Sequence, residues 1–160
     1  MNTGSSLRIT PAMERAKRYC EYRFPVYGSG EVDPIRALET GVANCAIRAF
    51  AIASFIEESE GPAGIFIHRG SDENTAVYGA PQNRHAVACH NGSAFMTQNP
   101  QSIGITPIKP GCGLYKEGML IDGDPVNGLM EYIRLHPDFE QVPPSNIVEA
   151  YKLIQTEAAI

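Results

Sequence analysis

The sequence has no tryptophan, no Cys-x-x-Cys pair and only 19% charged residues. Each scarcity excludes something. So few charges beside 43% hydrophobic residues is not the composition of a disordered chain. Cys20, Cys45, Cys89 and Cys112 are scattered, whereas structural zinc sites draw their ligands from close pairs. The opening MNTGSSLRITP lacks a basic end followed by an apolar block, so free thiols in a reducing, cytoplasmic setting are expected rather than disulfides. No apolar run approaches the ~18 residues of a membrane span. Basic charge is also in deficit, with 13 Lys and Arg against 18 Asp and Glu. That balance argues against nucleic acid and against an anionic lipid surface as partners.

What remains is enough for one domain spanning 1–160, since 160 residues can bury a substantial core. Fifteen glycines and twelve prolines assign much of the chain to loops, and residues 1–9 read as a loose end. Thr10-Pro11 and Asp33-Pro34 are helix openings, a capping side chain before a proline at the first helical position. They predict a helix over 11–23 and a short one closed by Thr40-Gly41, with a loop over 25–30 between them. Asn44 then caps the strongest element, an unbroken run from Cys45 to Gly61 that is apolar nearly all round, the pattern of a buried central helix.

Beyond Pro62 the period changes to that of strands. Residues 63–69, a short run at 75–78, 85–90, 94–98, 103–108 and 119–121 read as extended, and Asn91-Gly92 is a strong hairpin signal. Helices return at about 127–135 and 146–157, the second with Ser145 as its cap and Ile147, Tyr151 and Ile154 on one face. Helices, then an antiparallel sheet, then helices make an α+β domain.

Cys45 stands apart because it opens the buried helix. Unpaired N–H groups and the positive end of the helix dipole favour its thiolate, and Arg48 adds charge one turn on. A thiol nucleophile needs a base, and the base needs an acceptor to orient it. His85 opens one hairpin strand and Asn99 closes the other, so a loop centred near Gly92 sets Asn99 across from His85. Cys45, His85 and Asn99 would then suffice for acyl transfer through a thiolate–imidazolium pair. The Cys45 backbone N–H is the better-founded oxyanion donor, with Tyr27 as a second candidate. A metal site from His68, His85, Cys89 and His90 is disfavoured, because 85 and 89 share a strand face that 90 does not. Gly28-Ser29-Gly30 is too short to cradle phosphate.

These residues resemble the transglutaminase-like cysteine enzymes. Residues 33–45, a short helix, a glycine-bearing loop and a cysteine before an Ala-rich helix, look like the nucleophile segment of that family. His85-Ala86-Val87 resembles its His-Ala-aromatic strand start, and Asn99-Pro100 its strand-ending Asp-Pro. The likeness covers about residues 33–100. It departs where Val42-Ala43-Asn44 replaces a glycine close before the cysteine, and where no aromatic follows the histidine. Met119–Pro125 is another strand ending in acid and proline, so Asp122 or Asp124 is an alternative third member. The resemblance implies a papain/transglutaminase-like core, a peptide or protein amide as substrate, and no metal or organic cofactor. The expected activity is that of a peptidase, deamidase or transglutaminase; the alternative is a non-catalytic binding domain on the same scaffold.

Overall fold

The computed structural model describes residues 9–28, 32–69, 84–97, 103–107, 118–121, 123–136 and 141–160. Helix α1 (Pro11–Arg23) starts where Thr10 accepts the Met13 N–H, and α2 (Pro34–Thr40) where Asp33 accepts that of Ile35. Gly41 closes α2 with φ of 79°, the left-handed conformation that glycine adopts without strain. Between them the expected loop contains a short strand, β1 (Val26–Tyr27), which pairs in parallel with β2 (Val42–Ala43). Helix α3 (Cys45–Glu60) follows at once, and every residue from Cys45 to Ile56 is buried.

An antiparallel sheet supports α3. Its strands are β3 (Gly64–Arg69), β4 (Arg84–His90), β5 (Ser93–Met96), β6 (Gly104–Pro107) and β7 (Gly118–Ile121), in the order β6-β5-β4-β3-β7. Two helices, α4 (Pro125–Arg134) and α5 (Pro144–Ala158), complete the mixed helix-and-sheet architecture. Ile65, Ile67, Ala86, Ala88 and Phe95 join α3 in the main core, while Phe66, Val87 and Ala94 form a separate cluster. Successive strand residues face opposite ways, so these clusters mark the two sides of the sheet.

Several expectations shift on contact with this fold. The hairpin turn is there, with Asn91 at φ 48° and Gly92 at φ 78°, the two positive values that fit strand twist. Its register, however, pairs Ala88 with Phe95, Cys89 with Ala94 and His90 with Ser93. That is one residue out of step with a His85–Asn99 pairing, because Asn91-Gly92 makes a tight two-residue loop. Asn99 and Asp122 lie outside the described residues, as do the run at 75–78, residues 1–8 and Cys112. Asp124-Pro125 opens α4 rather than ending a strand, so that helix begins two residues earlier than expected. In α5 the cap position falls on Pro143, with no side-chain cap bond, and Ser145 lies inside the first turn. Among the described residues no helix is long and apolar enough to cross a membrane.

Candidate functional site

Cys45 is the first residue of α3, and the residue is 3% exposed. Three features hold it there. Asn44 caps the helix, its Oδ1 accepting the Ile47 N–H at 2.9 Å. Thr97, just past β5, lies with its hydroxyl 3.5 Å from the Cys45 carbonyl oxygen and 3.4 Å from that of Ala86, its single proton shared between the two acceptors. The parallel β1–β2 pairing sets Tyr27 beside Ala43, two residues before the cysteine.

Polar groups that favour the thiolate surround the sulfur. The Tyr132 hydroxyl, from α4, is 3.7 Å from Sγ. The Tyr27 hydroxyl and the N–H groups of Ala46 and Ala86 also favour the thiolate. Burial nevertheless prevails and pushes the thiol above its ordinary value. The expectation that the helix end lowers it is therefore corrected: desolvation of a sulfur this enclosed outweighs the hydrogen-bonding groups that favour the thiolate. Cys20, fully buried in α1, is pushed up to about 12 by the same cause.

Arg48 lies under this site and is fully buried. Its guanidinium donates to the Thr97 carbonyl at 3.1 Å and the Phe24 carbonyl at 3.2 Å, and stands 5.0 Å from the Tyr27 ring centroid. Among the described residues no carboxylate pairs with it. Its Nε and the Asn44 Nδ2 are both buried donors without an acceptor. Each such group costs about 1–3 kcal/mol of stability, which is unusual for two groups in one helical turn.

His85 is 3% exposed and lies in β4, whose neighbouring residue Ala86 reaches Cys45 through its N–H. Alternation gives His85 the parity of Val87, which packs away from α3, whereas Ala86 and Ala88 face it. Desolvation lowers the His85 pKa to about 4, so the ring is neutral near pH 7. The expected thiolate–imidazolium pair is accordingly corrected to two uncharged groups at rest. Asp124 is also reassigned: Oδ1 accepts the Asn127 N–H at 3.0 Å and Oδ2 its side-chain amide at 2.6 Å, so the carboxylate caps α4. His90 binds the Pro62 carbonyl and Glu60, each at 3.0 Å, at the far end of α3. Among the described residues no group of three His, Cys, Asp or Glu is arranged to hold a metal ion.

Tyr132 and His136 are the participants that sequence reasoning missed. Their rings lie 4.3 Å apart at 32°, and His136 Nδ1 is 2.8 Å from the Tyr132 carbonyl oxygen. Their spacing of four is the visible signal, since it stacks side chains on one helical face. Compared with known proteins, the chain matches no family model, no curated protein and no solved structure.

Proposed function

We propose that this chain is a thiol-dependent acyl-transfer enzyme acting on a peptide or protein amide, with Cys45 as its nucleophile. The observation that carries the reading is the setting of one sulfur: Cys45 opens the buried helix α3 and its Sγ lies 3.7 Å from the Tyr132 hydroxyl, with Tyr27 and the Ala46 and Ala86 N–H groups also favouring its thiolate. A cysteine that merely fills space has no use for polar groups that favour its thiolate, whereas a thiolate forming during attack does. The order of elements, a cysteine-led central helix followed by an antiparallel sheet, agrees with the transglutaminase-like resemblance.

In this mechanism the Cys45 sulfur adds to the amide carbon as its proton passes to a base. The resemblance assigns that role to His85, with Asn99 or Asp122 to orient the ring. The tetrahedral adduct expels the amine, which leaves with the proton, and a thioester remains on Cys45. Water then gives hydrolysis or deamidation, and a second amine gives transamidation. Burial disfavours the charged forms of both thiol and imidazole, so on this reading the resting pair is uncharged and the base takes the thiol proton in the course of the reaction.

A second reading is a non-catalytic binding domain on the same scaffold. The enclosed thiol and the parity of His85, shared with Val87 away from α3, favour it. Intact-mass spectrometry after incubation with p-nitrophenyl acetate separates the two. The enzyme reading expects one acetyl group, mapped to Cys45 and absent from Cys45→Ala. Acetylation of Cys45 no faster than of Cys20 supports the binding domain instead.

A further inference from the structure

Asn44 has a property that helix capping does not require. A cap uses one acceptor oxygen, and Asn44 Oδ1 serves that purpose on the Ile47 N–H at 2.9 Å. This bond fixes which end of the amide is oxygen. The Nδ2 group is thereby turned from the capped N–H, buried and without an acceptor, on a residue only 1% exposed. It belongs to the residue next to Cys45, at the mouth of α3. The Cys45 N–H opens the helix and has no acceptor within it. Behind them lies the buried Arg48, whose Nε also lacks an acceptor. The first turn of α3 therefore presents donors and positive charge with no resident anion among the described residues.

We infer that the Asn44 side-chain amide is an oxyanion-hole donor, acting with the Cys45 backbone N–H on the carbonyl oxygen of the substrate. The inference rests on Cys45 being the nucleophile, as proposed above. When the sulfur adds, the C–S bond forms and the C=O π pair withdraws onto oxygen, whose new negative charge receives both N–H groups. On collapse that pair returns to carbon, the bond to the leaving group breaks, and the hydrogen bonds weaken as charge leaves the oxygen. Donors held in place before reaction need no reorganisation during it, which is why an unsatisfied amide suits this position. Serine or aspartate would cap the helix as well as asparagine; only the amide adds a second, donating arm.

The test compares two reactions of the same thiol. Acetylation by p-nitrophenyl acetate passes through an oxyanion, whereas alkylation by iodoacetamide does not. The ratio of their rates at Cys45 cancels any change in thiolate population. Asn44→Ser should lower that ratio by about a hundredfold, the usual effect of losing one oxyanion donor. Asn44→Asp, with a cap of equal strength, should lower it similarly and serves if the serine variant folds poorly. A ratio within threefold of wild type in a folded variant overturns the role of Asn44. Absence of Cys45 acetylation in the wild-type protein instead overturns the nucleophile reading, and this inference with it.

Discussion

The Tyr132 hydroxyl stands 3.7 Å from the Cys45 sulfur across 87 positions of sequence. Helix α4 thus furnishes a hydroxyl partner to the residue that opens α3. Tyr132→Phe removes the donor and keeps the buried ring. The thiol should become harder to ionise, so the pH profile of iodoacetamide alkylation at Cys45 should move upward. The urea midpoint should fall by no more than a lost neutral hydrogen bond implies, about 1 kcal/mol. An unmoved profile would show that Tyr132 merely packs against the sulfur.

Burial of Cys45 has its own signature. Its thiol is held above the ordinary value, so alkylation of the native protein near neutral pH should be slow and should accelerate as pH rises. Cys20, pushed up to about 12, should stay unlabelled until the protein unfolds. Peptide mapping after timed alkylation at several pH values measures both. Fast labelling of Cys45 below pH 7 would contradict the enclosure described above.

Stability should fall in mild acid because of His85. Its folded pKa of about 4 lies below the ordinary 6.5, so the unfolded chain binds a proton that the native state refuses. The His85 contribution is fully present above pH 6.5, declines as pH drops toward 4, and amounts to about 3 kcal/mol across that window. His85→Gln should flatten this part of the stability curve, read from urea midpoints at pH 7 and pH 4.5. Equal slopes for variant and wild type would assign the acid sensitivity elsewhere.

Gly128 lets α4 approach the sheet. A Cβ built there would lie 2.9 Å from both Cβ and Cδ1 of Ile65, near the start of β3. Gly128→Ala should therefore cost about 1–3 kcal/mol through overpacking, despite the better helix propensity of alanine. Tyr132 is one turn further along the same face, so the alkylation profile of Cys45 should move as it does in Tyr132→Phe. A variant more stable than wild type would show that α4 yields freely.

Much of this fold is legible in short stretches of sequence because its signals are local. Thr10, Asp33 and Asn44 each cap the helix expected of them, and Asn91-Gly92 adopts the two positive φ values that its turn demands. Cys45 likewise announces itself by opening the most apolar helix. Less legible is whatever depends on distant packing. Hairpin register turns on a single residue of loop length, which sets Ala88 opposite Phe95 and His90 opposite Ser93. Asp124-Pro125 is ambiguous for a related reason, since acid followed by proline ends a strand as readily as it begins a helix. The partnership of Tyr132 with Cys45 has no local signal at all. The sign of the thiol shift is equally hidden, because the apolar run shows that the helix is buried but not that its first residue is buried as deeply as its middle.

The two-residue pairing of β1 with β2 ties Tyr27 into a backbone ladder, with Val26 donating to the Gly41 carbonyl at 3.2 Å and Gly28 to that of Ala43 at 3.1 Å. Movement of Tyr27 away from the sulfur by a backbone shift must therefore unzip these bonds, and so carries a threshold rather than a smooth drift. Deuterium uptake at the Val26 and Gly28 amides should then keep time with reagent entry to Cys45, making this two-stranded sheet the clock for the thiol that opens α3.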